Sequence, residues 1–154
     1  MTLAARSLAK DRLRLWLRLL KATRLVEGAL RERMRTERGT TLPRFDVMAA
    51  LYRVGEGLRM SDLSGVLMVS NGNVTGIVDR LAAEGLVERA AVAGDRRATR
   101  VRLTSAGRAA FEDMAREHEV WVDGLLGGLT PAETETATRL LEKLAGGVCS
   151  GRGA

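Results

Sequence analysis

Apolar positions recur at helical spacing along the first quarter of the chain, at Leu8, Leu15, Leu19, Ala22, Val26 and Leu30. No proline and only Gly28 interrupts this stretch, so the pattern predicts one long helix from about Leu3 to Arg38. Leu13, Trp16, Leu17 and Leu20 form a second cluster that makes the middle of the helix apolar nearly all round. A helix apolar on two sides packs against its own body and against something more, which in so small a chain is expected to be a second copy. After Gly39-Thr40-Thr41, Pro43 is suited to the first turn of a helix carrying Phe45, Val47, Met48, Leu51 and Tyr52. That helix should stop before Gly55-Glu56-Gly57, and Leu58-Arg59-Met60 leaves room only for a strand stub.

Ser61 is placed to cap a short helix from Asp62 to Leu67, with Asp62 near its positive end. Met68, Val69 and Ser70 separate it from a second helix, Ser70 to Glu84, whose Val74, Ile77, Val78 and Leu81 share one face. Gly85 is suited to the position just past its end. Two short helices joined this tightly match helix-turn-helix spacing. The next run, Leu86 to Val92, and the alternating Thr99-Arg100-Val101-Arg102-Leu103 predict a β-hairpin turning at Ala93-Gly94-Asp95, a wing attached to the second helix. A helix follows from Thr104-Ser105 to about Leu126, and Thr130-Pro131-Ala132-Glu133 opens a last one as a capping box. That helix is expected to end near Leu144.

The fold class is therefore mainly α with a small β-wing, a winged helix-turn-helix flanked by N- and C-terminal helices, the first of them expected to meet a second copy in a dimer. Residues 1–38 and 105–146 form the expected flanking helical region, 43–104 the winged lobe and 147–154 a flexible tail. No internal repeat is present.

Composition narrows the chemistry. Of 154 residues 45% are hydrophobic, 29% charged and only 3% aromatic, which predicts a soluble protein with an aliphatic core. No apolar run reaches the ~18 residues of a membrane span, and the arginine-studded N-terminus lacks a signal-peptide pattern, so a cytoplasmic protein is expected. Cys149 is the only cysteine and His118 the only histidine, which leaves no internal disulfide and no metal set. No nucleophile–base pair or phosphate loop appears either, so neither an enzyme nor a cofactor is expected. The net charge is +6, and it is uneven: Met1 to Arg38 carries eleven Lys/Arg against four Asp/Glu. Leu86 to Thr104 carries five arginines (Arg89, Arg96, Arg97, Arg100, Arg102) against Glu88 and Asp95. Such asymmetry points to one polyanion-facing side.

With Val74, Ile77, Val78 and Leu81 inward, the second helix of the pair turns Gly72, Gly76, Asp79 and Ala83 directly outward. Asn73 and Arg80 flank that face on one side and Thr75 on the other, with Asn71 at the N-terminal end. Each glycine costs a helix roughly 1 kcal/mol against alanine, a cost that is accepted where something must come close to the backbone. A helix pressed into a DNA major groove fits: asparagine can pair bidentately with adenine, while Ser70, Thr75 and Arg80 reach bases or phosphates. A shallow, weakly selected surface is the bland alternative. In the hairpin, Arg96 and Arg97 sit at or beside the tip, where an arginine can enter the minor groove. Asp95 beside them suits DNA only if it holds an arginine or caps the turn.

VTGIVDRLAAEGLVER, followed by GDRRATRVRLTSAG, resembles the core signature of the MarR family of bacterial regulators, and the flanking helices agree from roughly Leu8 to Leu144. The resemblance implies a homodimer clasped by its first and last helices, with two winged domains on a near-palindromic inverted repeat of double-stranded DNA. It makes Arg97 the minor-groove arginine and Asp95 its support. It also implies a small effector, held between the dimerisation region and the DNA-binding lobe, that releases DNA. LPRFDVMAALYR with SNGNVTG is similar to members answering aromatic acids or hydroxycinnamoyl-CoA signals. On that reading Arg24, Arg31, Arg33 and Arg35 meet thioester phosphates. Phe45 and Met48 line the pocket, and His118 bonds an effector carboxylate. The alternatives are arginines that are solvated or serve DNA and dimer contacts, core roles for Phe45 and Met48, a surface or interface place for His118, and dimer-interface or core packing, rather than ligand stacking, for Trp16 and Trp121. Against the repressor stands a protein-interaction module that keeps the winged fold and binds a partner protein.

Overall fold

The computed structural model describes residues 3–67 and 71–150, without the side-chain surroundings of residues 3–6, 71, 72, 96, 97 and 150. Ser70 lies outside the described residues. Two compact units emerge, Met1–Glu119 and Val120–Ala154. That division falls within one helix, whereas the sequence grouped residues 105–146 with the first helix.

In the first unit, α1 (Leu3–Arg38) has the predicted bounds. At 1.5 Å per residue it is about 54 Å long. Only its C-terminal end is core: Leu30 and Met34 are buried, while Leu8, Leu13, Leu15, Trp16 and Leu17 are at least half exposed. Helix α2 (Leu42–Arg53) begins at Thr41, whose hydroxyl accepts a hydrogen bond from the Arg44 amide at 3.4 Å, with Pro43 in the first turn. Leu42, Phe45, Val47, Met48, Ala50 and Leu51 on α2 are all buried.

Strand β1 (Leu58–Arg59) runs straight into α3 (Met60–Leu67). Ser61 is therefore not the cap. Arg59, still extended, holds that position, and the Ser64 hydroxyl donates back to the Met60 carbonyl at 3.0 Å. Helix α4 (Asn71–Ala83) buries Val74, Val78 and Leu81 completely. Its end is a full glycine C-terminal motif: Gly85 has φ 74, its amide donates to Ala82, and the Leu86 amide donates to Leu81.

Strands β2 (Val87–Val92) and β3 (Asp95–Leu103) complete an antiparallel sheet of order β1-β3-β2. The turn is Ala93-Gly94 alone, because Gly94 supplies the positive φ of 85 and Asp95 already pairs with Val92. Asp95 thus opens β3 rather than forming the turn. Pairing is regular from Val87↔Leu103 to Ala91↔Thr99 and then jumps to Val92↔Asp95. Arg96, Arg97 and Ala98 consequently have no residue opposite them on β2, a bulge-like irregularity near the end of the hairpin.

Helix α5 (Ser105–Leu126) is capped by Thr104, whose hydroxyl accepts the Gly107 amide at 3.0 Å. In the second unit, α6 (Pro131–Ser150) opens with the expected capping box. The Thr130 amide donates to Glu133 at 2.8 Å, and the Glu133 amide donates to the Thr130 hydroxyl at 3.3 Å. The helix runs past Leu144 to Ser150, which corrects the expected stop and removes residues 147–150 from the tail. Gly146 and Gly147 lower helix propensity, but neither takes the left-handed conformation that terminates a helix, and no proline follows.

Candidate nucleic-acid interface

Burial of Val74, Val78 and Leu81 fixes what α4 shows to solvent: Asn73, Thr75, Gly76, Asp79 and Arg80 are exposed. Asn71 is the first residue of that helix, with its side chain outside the described set. A Cβ added at Gly76 would meet nothing within 4 Å, so the backbone there is open to approach. Arg96 and Arg97 lie on the unpaired stretch of β3, their side chains outside the described set, and Asp95 is exposed beside them.

The basic hairpin is less uniformly available than its charge suggests. Arg89 pairs with Asp79 of α4 at 2.6 Å, tying the wing to the outward face of that helix. Arg102 pairs across the strands with Glu88 at 2.6 Å, and Arg100 donates to the Gly57 carbonyl at 3.3 Å. Three of the five arginines between Leu86 and Thr104 therefore brace the lobe. This division was not legible in the sequence, because each partner comes from another element.

A second feature lies behind α4. A cleft of about 490 Å³ is walled by Arg38 of α1, Arg44 and Met48 of α2, Arg80 of α4, Glu84 just beyond it, and Met114 of α5. Arg38 donates to Asp113 at 2.5 Å and to Glu117 at 3.2 Å, which lowers the Asp113 pKa. Arg44 grips Glu84 with both terminal nitrogens, at 2.8 and 2.5 Å, and this hydrogen bonding lowers the Glu84 pKa. The remaining Arg44 nitrogen, Nε, is buried without a hydrogen-bond partner.

Of the residues expected at an effector, Met48 lines this cleft. Phe45 and His118 are brought together in a stack with centroids 4.5 Å apart, and Phe111 stacks on Phe45 at 5.3 Å. Burial lowers the His118 pKa. Arg24 and Arg31 are exposed on α1 and are not cleft residues, while Arg35 pairs with Glu32 one turn away. Arg38, Arg44 and Glu84 were missed as cleft residues, and no local signal could have found them, since Arg44 and Glu84 are forty residues apart. Among the described residues no group of three or more His, Cys, Asp or Glu is placed to hold a metal, and no helix is long and apolar enough to cross a membrane.

A polar-faced helix set on a buried apolar stripe, followed directly by an antiparallel hairpin, defines a winged helix-turn-helix protein. A MarR family model matches residues 38–98. A MarR family transcriptional regulator from Silicibacter pomeroyi is similar at 34% identity, over 91% of this chain and 96% of that one, with a TM-score of 0.74. This chain belongs to the MarR family, whose members are DNA-binding transcriptional regulators and not enzymes. A mutant of MarR from E. coli complexed with operator DNA is similar at 25% identity over 94% of this chain and 99% of that one, with a TM-score of 0.70. Bordetella bronchiseptica BpsR, solved in connection with regulation of its DNA binding by 6-hydroxynicotinic acid, is similar at 27% identity. It matches 86% of this chain and 98% of that one, with a TM-score of 0.73.

Proposed function

We propose that this regulator is a homodimeric repressor that binds an inverted repeat and is released by a small aromatic acid or its CoA thioester. In this reading α4 enters the major groove. Asn71, Asn73 and Thr75 read bases, and Ser70 and Arg80 meet the backbone. Arg96 and Arg97 reach the minor groove, with Asp95 as support. The observation that carries the proposal is the outward face of α4, where Asn73, Thr75 and Arg80 flank the open backbone at Gly76. The likeness to a MarR solved on operator DNA supports the same mode.

The cleft supports the effector half. Its arginines suit an anion, with Arg38 engaged by Asp113 and Glu117 and Arg44 by Glu84, its methionines suit a ring, and Phe45, next to Arg44 on α2, stacks on His118. The BpsR likeness favours an aromatic carboxylate. Arg24 and Arg31, exposed on α1, remain the proposed contacts for thioester phosphates.

Fluorescence anisotropy tests the proposal, using duplexes from the gene's own upstream region against scrambled sequence at two salt concentrations. Selective binding that weakens steeply with salt is expected, because each neutralised phosphate contributes about one unit of log–log slope. Arg97→Ala should weaken operator binding by about 1–3 kcal/mol without altering thermal unfolding. Binding no tighter to any genomic fragment than to scrambled duplex would favour the protein-partner reading instead.

A further inference from the structure

Glu84 stands just beyond α4, between the last helical residue, Ala83, and the glycine at position 85 that ends the motif. Its carboxylate holds both terminal nitrogens of Arg44, the fork-to-fork geometry in which arginine is most selective for a carboxylate. Arg44 is one-fifth exposed and Glu84 about half, so the glutamate is the partner with room to leave. Both residues line the cleft, with Arg38 and Arg80 beside them. Arg44 also carries a buried, unpartnered Nε, so its guanidinium has hydrogen-bonding capacity that Glu84 does not use.

We infer that the Arg44–Glu84 pair is a displaceable latch: a carboxylate ligand in the cleft takes Glu84's place on Arg44 and releases the C-terminal end of α4. The inference rests on the effector reading above and adds to it the coupling between cleft and DNA face. Glu84 is a positioning residue, since it touches no DNA in this scheme and acts through the attitude of α4. Because one carboxylate replaces another on the same guanidinium, the ligand must compete with the protein's own side chain. Occupancy of the cleft and the latched helix then exclude one another. Linkage makes the effect reciprocal, with DNA weakening ligand binding by the same factor as ligand weakens DNA binding.

Glu84→Gln tests this, with 6-hydroxynicotinate as probe and its uncharged amide as control. Ligand affinity is read by calorimetry and operator affinity by anisotropy, with and without probe. In the wild type the acid should weaken operator binding, whereas the amide should not. In Glu84→Gln the acid should bind about five- to tenfold tighter while its effect on operator affinity shrinks toward none. Arg44→Lys, which keeps the charge but loses the fork, should weaken acid binding. If Glu84→Gln binds and responds as the wild type does, the latch is wrong and the effector reading stands. If the wild type neither binds the acid nor releases DNA with it, both the latch and the aromatic-acid reading fall.

Discussion

At Gly76, helix propensity is set against access. The position is exposed and mid-helix, and a Cβ there would meet no neighbour, so nothing in the fold needs a glycine there. Gly76→Ala should stabilise the protein by about 1 kcal/mol in urea unfolding while weakening operator binding, because the added methyl stands where the groove would approach. A rise in stability with unchanged DNA affinity would remove Gly76 from the interface. The outward positions of α4 were legible in the sequence because three fully buried residues, Val74, Val78 and Leu81, fix the helix rotation. His118 was legible only as a lone histidine; its stack on Phe45 is a tertiary contact. Burial holds its pKa below the usual value, so the folded protein resists the proton that the unfolded chain accepts. The sign follows: its contribution is complete above about pH 6.5 and is lost as pH falls through that value toward the folded pKa. Stability should therefore decline as pH falls below about 6.5 more steeply in the wild type than in His118→Phe, measured by urea midpoints at each pH.

Between elements, the joint of α4, the hairpin and α5 is closely packed. The Leu86 carbonyl accepts the Thr104 amide at 3.1 Å, and the Thr104 hydroxyl donates to the Gly85 carbonyl at 2.7 Å while capping α5. Gly107 is buried against this joint, and a Cβ there would overlap the Leu86 carbonyl. The obstacle is backbone that is already hydrogen-bonded, so it has nowhere to retreat. Gly107→Ala should cost about 1–3 kcal/mol in thermal or urea unfolding, and should weaken DNA binding as the hairpin shifts relative to α4. Element identities were legible where local chemistry acts alone: the α1 periodicity, the Thr130–Glu133 box, the glycine end of α4. Boundaries failed where a neighbour decided them. β1 running into α3 displaced Ser61 from the cap, the pairing of Asp95 with Val92 shortened the hairpin turn, and α6 continued through two glycines that keep right-handed conformations.

For the whole molecule, exposed apolar surface says more than net charge. The basic excess of the hairpin is partly consumed by Asp79, Glu88 and the Gly57 carbonyl, so charge alone overstates what is available to a polyanion. The apolar residues tell a different story. On α1, Leu13, Trp16 and Leu17 are about 55% exposed, and on α6, Leu140, Leu141 and Leu144 are 62%, 49% and 48% exposed. Each helix by itself presents a large aliphatic stripe to solvent, the mark of a protein–protein surface. A second copy is the occupant proposed for both stripes, because an inverted repeat requires two equivalent lobes. Leu141→Asp puts a charge into the exposed α6 stripe. It should sediment as a monomer at micromolar concentration, with its helical circular dichroism retained. Without the second lobe, affinity for an inverted repeat should fall by at least about a hundredfold, while affinity for an isolated half-site changes little. A variant that stays dimeric and keeps its operator affinity would place the clasp elsewhere, with the α1 stripe around Trp16 the next surface to charge.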